Sequence, residues 1–241
     1  MDKALAKTVE QPLRILITGA AGGIGTVLAN ALRDRYTLRG LDIRPMDHVE
    51  DAITGNLNDF DTVLAASQGM DAVIHLGGLI TESTWQAIHT NNILGTYNVF
   101  EAARQSGVRR IVFASRAGIL SSYPKDVQRT VDLPPCPVDY YSVAKLFGEQ
   151  LGYMYSSRHG MEFVAIRIGL FQRTQPEARH PHQISHADTV QVFERALIHP
   201  GVSHEIVFGV SDSTWPLYDI DHGRKAIAYH PQDKSIIEPQ E

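Results

Sequence analysis

The segment "YYSVAKLFGEQ" sets a phenol, Tyr141, and an amine, Lys145, four residues apart. On a helix that spacing puts both side chains on one face. A phenol with a reference pKa of about 10 is a poor base at neutral pH. An ammonium one turn away stabilises the phenolate and draws the group towards general-base work. The same spacing also suits an amphipathic surface helix, so its meaning depends on the elements around it. A second candidate lies upstream in "IVFASRAGIL", where an apolar run stops at Ser115 and Arg116. Arg116 has three readings. It projects into a site, grips an anion through its bidentate fork and assists the tyrosine. Or it points to solvent, leaving Ser115, Ser121 or Ser122 to orient a ligand. Or it marks a site whose catalysis is lost. Adjacent strand residues face opposite ways, so Ser115 and Arg116 share a side only where the strand bends.

A third stretch, "ITGAAGGIGTVLANAL", places Gly19, Gly22 and Gly25 at a strand-to-helix junction. Gly19 permits a tight turn, Gly22 lets the backbone approach a pyrophosphate, and Gly25 lets the helix pack against the strand. The helix N-terminus adds N–H groups and a positive dipole end. Together these predict dinucleotide binding. Asp42 closes the next strand, where a carboxylate accepts from both adenosine ribose hydroxyls and repels a 2′-phosphate. That favours NAD over NADP, although Arg44 stands where it could pair with a 2′-phosphate. With such a cofactor bound, the positive nicotinamide ring joins Lys145 in lowering the pKa of Tyr141, and Lys145 can hold the nicotinamide ribose. The histidines of "HPHQISH" (His180, His182 and His186) lack a carboxylate or cysteine partner at helical spacing, so no metal is expected. His75, within an apolar strand, reads as a core histidine. Cys136 is the only cysteine and excludes an intrachain disulfide.

Short β-branched runs alternate with helical patterns around these groups. "RILIT" precedes a helix from Gly23, "YTLRGLDI" and "DAVIHLGG" read as later strands, and one long helix is predicted from Thr84 to Gln105, ended by Gly107. "RIVFAS", a proline-rich loop, a helix from Tyr140 to about Arg158, the strand "EFVAIRIG", a helix from about Asp188 to Ile198 and the strand "EIVFG" follow. Strands alternating with helices imply βαβ units with right-handed crossovers. The expected fold is α/β: a Rossmann-type doubly wound parallel sheet with helices on both faces and a small C-terminal substrate-side segment from about residue 170. Residues 1–12 read as a flexible tail and 13–241 as a single NAD-binding domain. A net charge of −5 argues against nucleic acid or an anionic membrane as partner, and no apolar stretch is long enough to span a bilayer. The N-terminus has no apolar core of a signal peptide, so a reducing cytoplasm is expected.

The motifs "TGAAGGIG", Asp42 of "LD", "HLGG", "NNILGTYNVFEAAR", "IVFAS", "YYSVAK" and "IRIG" resemble the extended short-chain dehydrogenase/reductases, the NAD-dependent epimerase/dehydratase branch. Within that branch the chain is most similar to the uronate dehydrogenases, which oxidise the anomeric carbon of a hexuronic acid to an aldarolactone with NAD. The resemblance implies that Tyr141 is the base, that Lys145 activates it, and that Asn92 helps place a proton-relay water. It puts Gly19, Gly22, Gly23, Ile24 and Gly25 on the pyrophosphate and Asp42, with Ile43 beside it, on the ribose. Asn56 and Leu57 would frame the adenine, and Leu76, Gly77, Gly78 and Ile168 would line the cofactor.

The chain departs from this family where the substrate sits. Arg116 takes the place of a serine, leaving Ser115 as the nearby hydroxyl. Ala117-Gly118 stand for an Asn-His pair, and Ile80 and Leu170 for two further serines. Arg179 matches an arginine that binds the substrate carboxylate. The 72 residues after Gly169 suit a small polar alcohol or sugar derivative better than a nucleotide sugar. The implied activity is that of an NAD-dependent oxidoreductase. A sugar epimerase or dehydratase that recycles NAD, and a non-catalytic NAD-responsive protein, are the alternatives. By the same resemblance, the helices at 84–105 and 140–158 would pair in a homodimer or higher homo-oligomer.

Overall fold

The computed structural model describes residues 12–80, 84–174 and 180–237. The first strand β1 (Arg14–Thr18) leads into α1 (Gly23–Leu32), then β2 (Thr37–Asp42), β3 (Asp51–Thr54), α2 (Phe60–Ser67) and β4 (Ala72–His75). Next come α3 (Trp85–Ile88), a π-helical turn (His89–Leu94), α4 (Gly95–Gln105), β5 (Arg110–Arg116) and a 3₁₀ turn (Ala117–Leu120). The chain continues through α5 (Tyr140–His159), β6 (Glu162–Ile168), β7 (Leu170–Phe171), β8 (Gln183–Ile184), α6 (His186–Ile198) and β9 (His204–Gly209). It ends with β10 (Asp212–Ser213), α7 (Asp221–Ile227) and β11 (Lys234–Ser235).

Seven strands form one parallel sheet in the order β3-β2-β1-β4-β5-β6-β9. The order reverses between β1 and β4, so the loops leaving those two strands flank a crevice where ligands bind in doubly wound sheets. Both faces are covered because residues alternate along each strand. Ile15, Ile17, Val112 and Val164 pack with Leu28 of α1 and Phe193 of α6. Leu16, Ile111, Phe113 and Phe163 pack on the other side with Val63 of α2, Val99 of α4 and Tyr155 of α5. A smaller cluster of Ala117, Leu120, Phe208, Val210 and Tyr218 roofs the C-terminal end of the sheet.

The long helix expected from Thr84 to Gln105 is present as one continuous helical run, capped by Thr84 and ending at Gln105, with the π turn inserted between α3 and α4. A π turn inserts without changing which residues are apolar, so periodicity reads through it. The proposed tail falls almost wholly outside the described residues, as does Arg179.

Candidate active site

The crevice begins at the glycine turn. Gly19 has φ +71°, and a Cβ there would lie 2.8 Å from the Gly77 amide nitrogen, so only glycine fits. A Cβ on Gly25 would sit 2.5 Å from the Gly19 carbonyl oxygen, which is how closely α1 stacks on the strand end. No side chain caps α1 and its first turn carries no carboxylate. Its first amides therefore remain directed at an incoming anion, as a pyrophosphate requires.

Asp42 ends β2 beside this turn and is 8% exposed. Its Oδ2 accepts from the Ala21 amide at 3.0 Å and its Oδ1 from the Arg44 amide at 3.0 Å. A carboxylate has about four lone-pair sites, so acceptor capacity is left for ribose hydroxyls. Arg44 curls back, its Nε 3.4 Å from Oδ1, and so is held by the Asp42 carboxylate. Ile43 is exposed at the rim. The opposite wall packs tightly: Leu57 fills the space against Gly77 and Gly95, and its carbonyl accepts from Asn98. The Asn56 side chain accepts from Asn58 within its own turn. Gly78, at φ +141°, lies against the amide of Asn92, and Ile168 is buried at the end of β6.

One residue near this cradle was not singled out in the sequence. A Cβ on Gly23 would touch the Phe171 ring at 3.0 Å and the Arg173 Cγ at 3.1 Å. The segment after β7 thus lies over the first turn of α1 and brings a guanidinium-bearing side chain to the cradle. Stacking of Phe171 on His186 and a hydrogen bond between His186 Nε2 and the Gln172 carbonyl hold it there. No local pattern announces a contact across some 150 residues of sequence.

The candidate base sits on α5. Asp139 caps this helix by accepting from the Ser142 amide at 2.6 Å, and Gly160, at φ +66°, ends it. Tyr141, Lys145 and Glu149 follow at intervals of one turn, which puts them on a single face towards the sheet. Lys145 is buried, with Nζ 5.5 Å from the Tyr141 ring centre and 4.9 Å from that of Phe113. Burial pushes its ammonium down to about 8. Burial pushes the Tyr141 phenol up to about 12; the Arg116 guanidinium opposes this and Asp139 reinforces it.

Ser115 and Arg116 part ways, as strand alternation requires. Ser115 is 3% exposed and donates to Glu149 Oε1 at 2.6 Å. Glu149 also accepts two hydrogen bonds from Arg167 of β6, making a fully interior ion pair. The Ser115 hydroxyl, expected to face a substrate, here braces β5 against α5 through Glu149. Arg116 neither points to open solvent nor stands free as an anion clamp. It lies across the first turn of α5, its Cζ 5.1 Å from the Tyr141 ring centre, and Nη1 donates to Asp139 at 2.7 Å and Ser142 Oγ at 2.9 Å.

Asn92 is buried in the π turn, and its side-chain amide donates to the Leu79 carbonyl and accepts from the Leu79 amide. Its side chain thus pins the loop after β4. Ile80, the next residue on that loop, is exposed. His75 is buried with Nδ1 on the Thr18 hydroxyl and Nε2 on the Thr96 hydroxyl, and burial pushes it down to about 3, so it stays neutral. Among the described residues no cluster of three or more His, Cys, Asp or Glu could hold a metal ion.

The profile of the NAD dependent epimerase/dehydratase family matches residues 15–197. The chain belongs to that family. Among curated members, the uronate dehydrogenase of Pseudomonas putida is 40% identical over 228 residues, covering 92% of this chain and 85% of the relative. The NAD-dependent glucose-6-phosphate dehydrogenase of Haloferax volcanii is 33% identical, covering 94% and 95%. Among solved structures, a variant of uronate dehydrogenase from Agrobacterium tumefaciens complexed with NAD superposes with a TM-score of 0.86 at 33% identity, covering 92% of this chain and 86% of that one. This member of the epimerase/dehydratase family is an NAD-dependent oxidoreductase, and the glycine cradle and Asp42 are its fit to the cofactor.

Proposed function

We propose that the protein oxidises the anomeric hydroxyl of a small sugar acid, a hexuronate foremost, to the corresponding lactone. The observation that carries this reading is Tyr141 and Lys145 on one buried helix face, together with relatives of up to 40% identity that bear the uronate dehydrogenase name. NAD, when bound, accepts the hydride from the anomeric carbon. Tyr141 takes the hydroxyl proton as the carbonyl forms. Lys145 stabilises the phenolate, holds the nicotinamide ribose and passes the proton towards solvent near Asn92. Gly19, Gly22, Gly23, Ile24 and Gly25 carry the pyrophosphate. Asp42 and Ile43 serve the adenosine ribose, and Asn56, Leu57, Leu76, Gly77, Gly78 and Ile168 wall the rest. Ile80 and Arg179 belong to the substrate side.

We read residues 13–241 as one functional unit working in the cytoplasm. Leu94, Tyr97, Tyr140, Val143 and Tyr153 are exposed apolar residues on and beside α4 and α5, which supports self-association of that face into a homodimer. Among the described residues no helix is long and apolar enough to cross a membrane.

The test is NADH formation at 340 nm with glucuronate, galacturonate, glucose 6-phosphate, glucose and arabinose. Uronates should turn over faster than the neutral sugars. No absorbance change with any of them, in protein that binds NAD, would refute the reading.

A further inference from the structure

Arg116 differs from the other arginines on β5 and β6. Arg110 and Arg167 are buried against carboxylates and tie elements together, whereas the Arg116 side chain is 35% exposed. Its place is nevertheless built. Gly118, in the 3₁₀ turn just after β5, leaves the room for it: a Cβ there would lie 2.5 Å from Arg116 Nε and 3.0 Å from Cζ. From that seat the guanidinium spans the Asp139 carboxylate and the Ser142 hydroxyl, with the Tyr141 ring beneath it. The carboxylate that orients the arginine is also the cap of the helix that carries the tyrosine. Charge, base and helix start are thus joined in one contact set.

We propose that the Arg116–Asp139 pair is a positioning device that sets how readily Tyr141 gives up its proton. The proposal rests on the reading of Tyr141 as the base. The charged groups facing that phenol are Arg116 from the end of β5, Asp139 from the loop before α5, and Lys145 from α5 itself. A cation over the ring favours the phenolate and an anion beside it disfavours it. Arg116 therefore eases deprotonation, and Asp139 tempers that effect while fixing the guanidinium in register. Because the arginine is held by its own carboxylate, its action on the tyrosine does not depend on the charge of the substrate.

The experiment is a pH titration of the NAD-saturated protein labelled with ¹³Cζ-tyrosine, Tyr141 being assigned with Tyr141→Phe. Arg116→Gln should raise the Tyr141 midpoint by about one pH unit, and Asp139→Asn, which keeps the helix cap, should lower it. Arg116→Lys keeps the charge and should fall between wild type and Arg116→Gln; it also serves if Arg116→Gln does not fold. The acid limb of kcat/KM should move in step, equally for a uronate and for a neutral sugar. Midpoints that stay put, or that move the same way in Arg116→Gln and Asp139→Asn, overturn the proposal. So does a loss confined to the KM of the anionic substrate, which would make Arg116 a substrate clamp. The titration reads the pair without turnover. Opposed shifts in a protein that oxidises no sugar would uphold the pair and refute only the proposed reaction.

Discussion

Replacing Asp42 by alanine tests its proposed place at the adenosine ribose and its part in cofactor choice. The carboxylate is 8% exposed and bonds the Ala21 and Arg44 amides, so it is already oriented before a ribose arrives. Hydrogen bonds to a charged group contribute about 1.5–3 kcal/mol each. Losing two ribose contacts, partly replaced by water, should weaken NAD by about 2–3 kcal/mol, roughly 30- to 150-fold in affinity. The same change removes a like charge from the position of a 2′-phosphate. At 4 Å two charges near a protein surface interact by about 4 kcal/mol before salt screening, so a gain of about 1–2 kcal/mol for NADP is a fair expectation. Arg44, released from its ion pair, would be free to turn to that phosphate. Arg33 and His48 line the same open depression with Arg44. The NAD/NADP preference should fall at least 100-fold. The assay is kcat/KM for each cofactor with the best sugar, backed by NADH and NADPH binding through fluorescence quenching. A thermal melt checks that the glycine turn survives. A preference changed by less than threefold in folded protein would refute the assignment of Asp42 to the ribose.

Tyr141→Phe should lower kcat at least 100-fold while NAD still binds with wild-type affinity, read by turnover and calorimetry on one preparation. Glu149→Leu strands the buried Arg167 guanidinium and frees the Ser115 hydroxyl; the loss should be about 3–5 kcal/mol, a fall in Tm of roughly 10 °C by differential scanning calorimetry. Lys145 holds its proton less tightly in the fold than in the unfolded chain, whose ordinary value is 10.5 against about 8 in the folded protein. The unfolded state therefore binds more protons across that window, and stability without cofactor should rise with pH from about 8 to 10.5, a rise that Lys145→Met abolishes in chemical denaturation. Arg173→Ala should weaken NAD several-fold and flatten the salt dependence of binding, without changing kcat at saturating NAD, because it removes a cation from beside the α1 N-terminus.

Particular residues show where reading the chain stops. The glycine turn, Asp42 and the Tyr141–Lys145 spacing are local signals, and strand alternation already separates Ser115 from Arg116. The π turn is invisible because it changes the backbone hydrogen bonding and not the residue pattern, and its Asn92 exchanges a pair of hydrogen bonds with Leu79, 13 residues back along the chain. β3 and α2 were not picked out in the sequence: one is a short strand at the sheet edge, the other has a brief apolar pattern. Arg179, the residue matched to carboxylate binding, lies outside the described residues.

What the sequence determined by itself was the alternation of strands and helices, β3 and α2 apart, and with it a parallel sheet with right-handed crossovers that begins beside the glycine turn. Those features follow from backbone preferences and short-period burial, which act over a few residues. Only the tertiary structure decided that Ser115 is taken up by Glu149, that Arg173 lies on the cradle, and that Arg116 rests between Asp139 and Tyr141. Each of these depends on which side chains meet after distant elements dock. A long, charged side chain such as arginine takes its direction from the carboxylate it finds there.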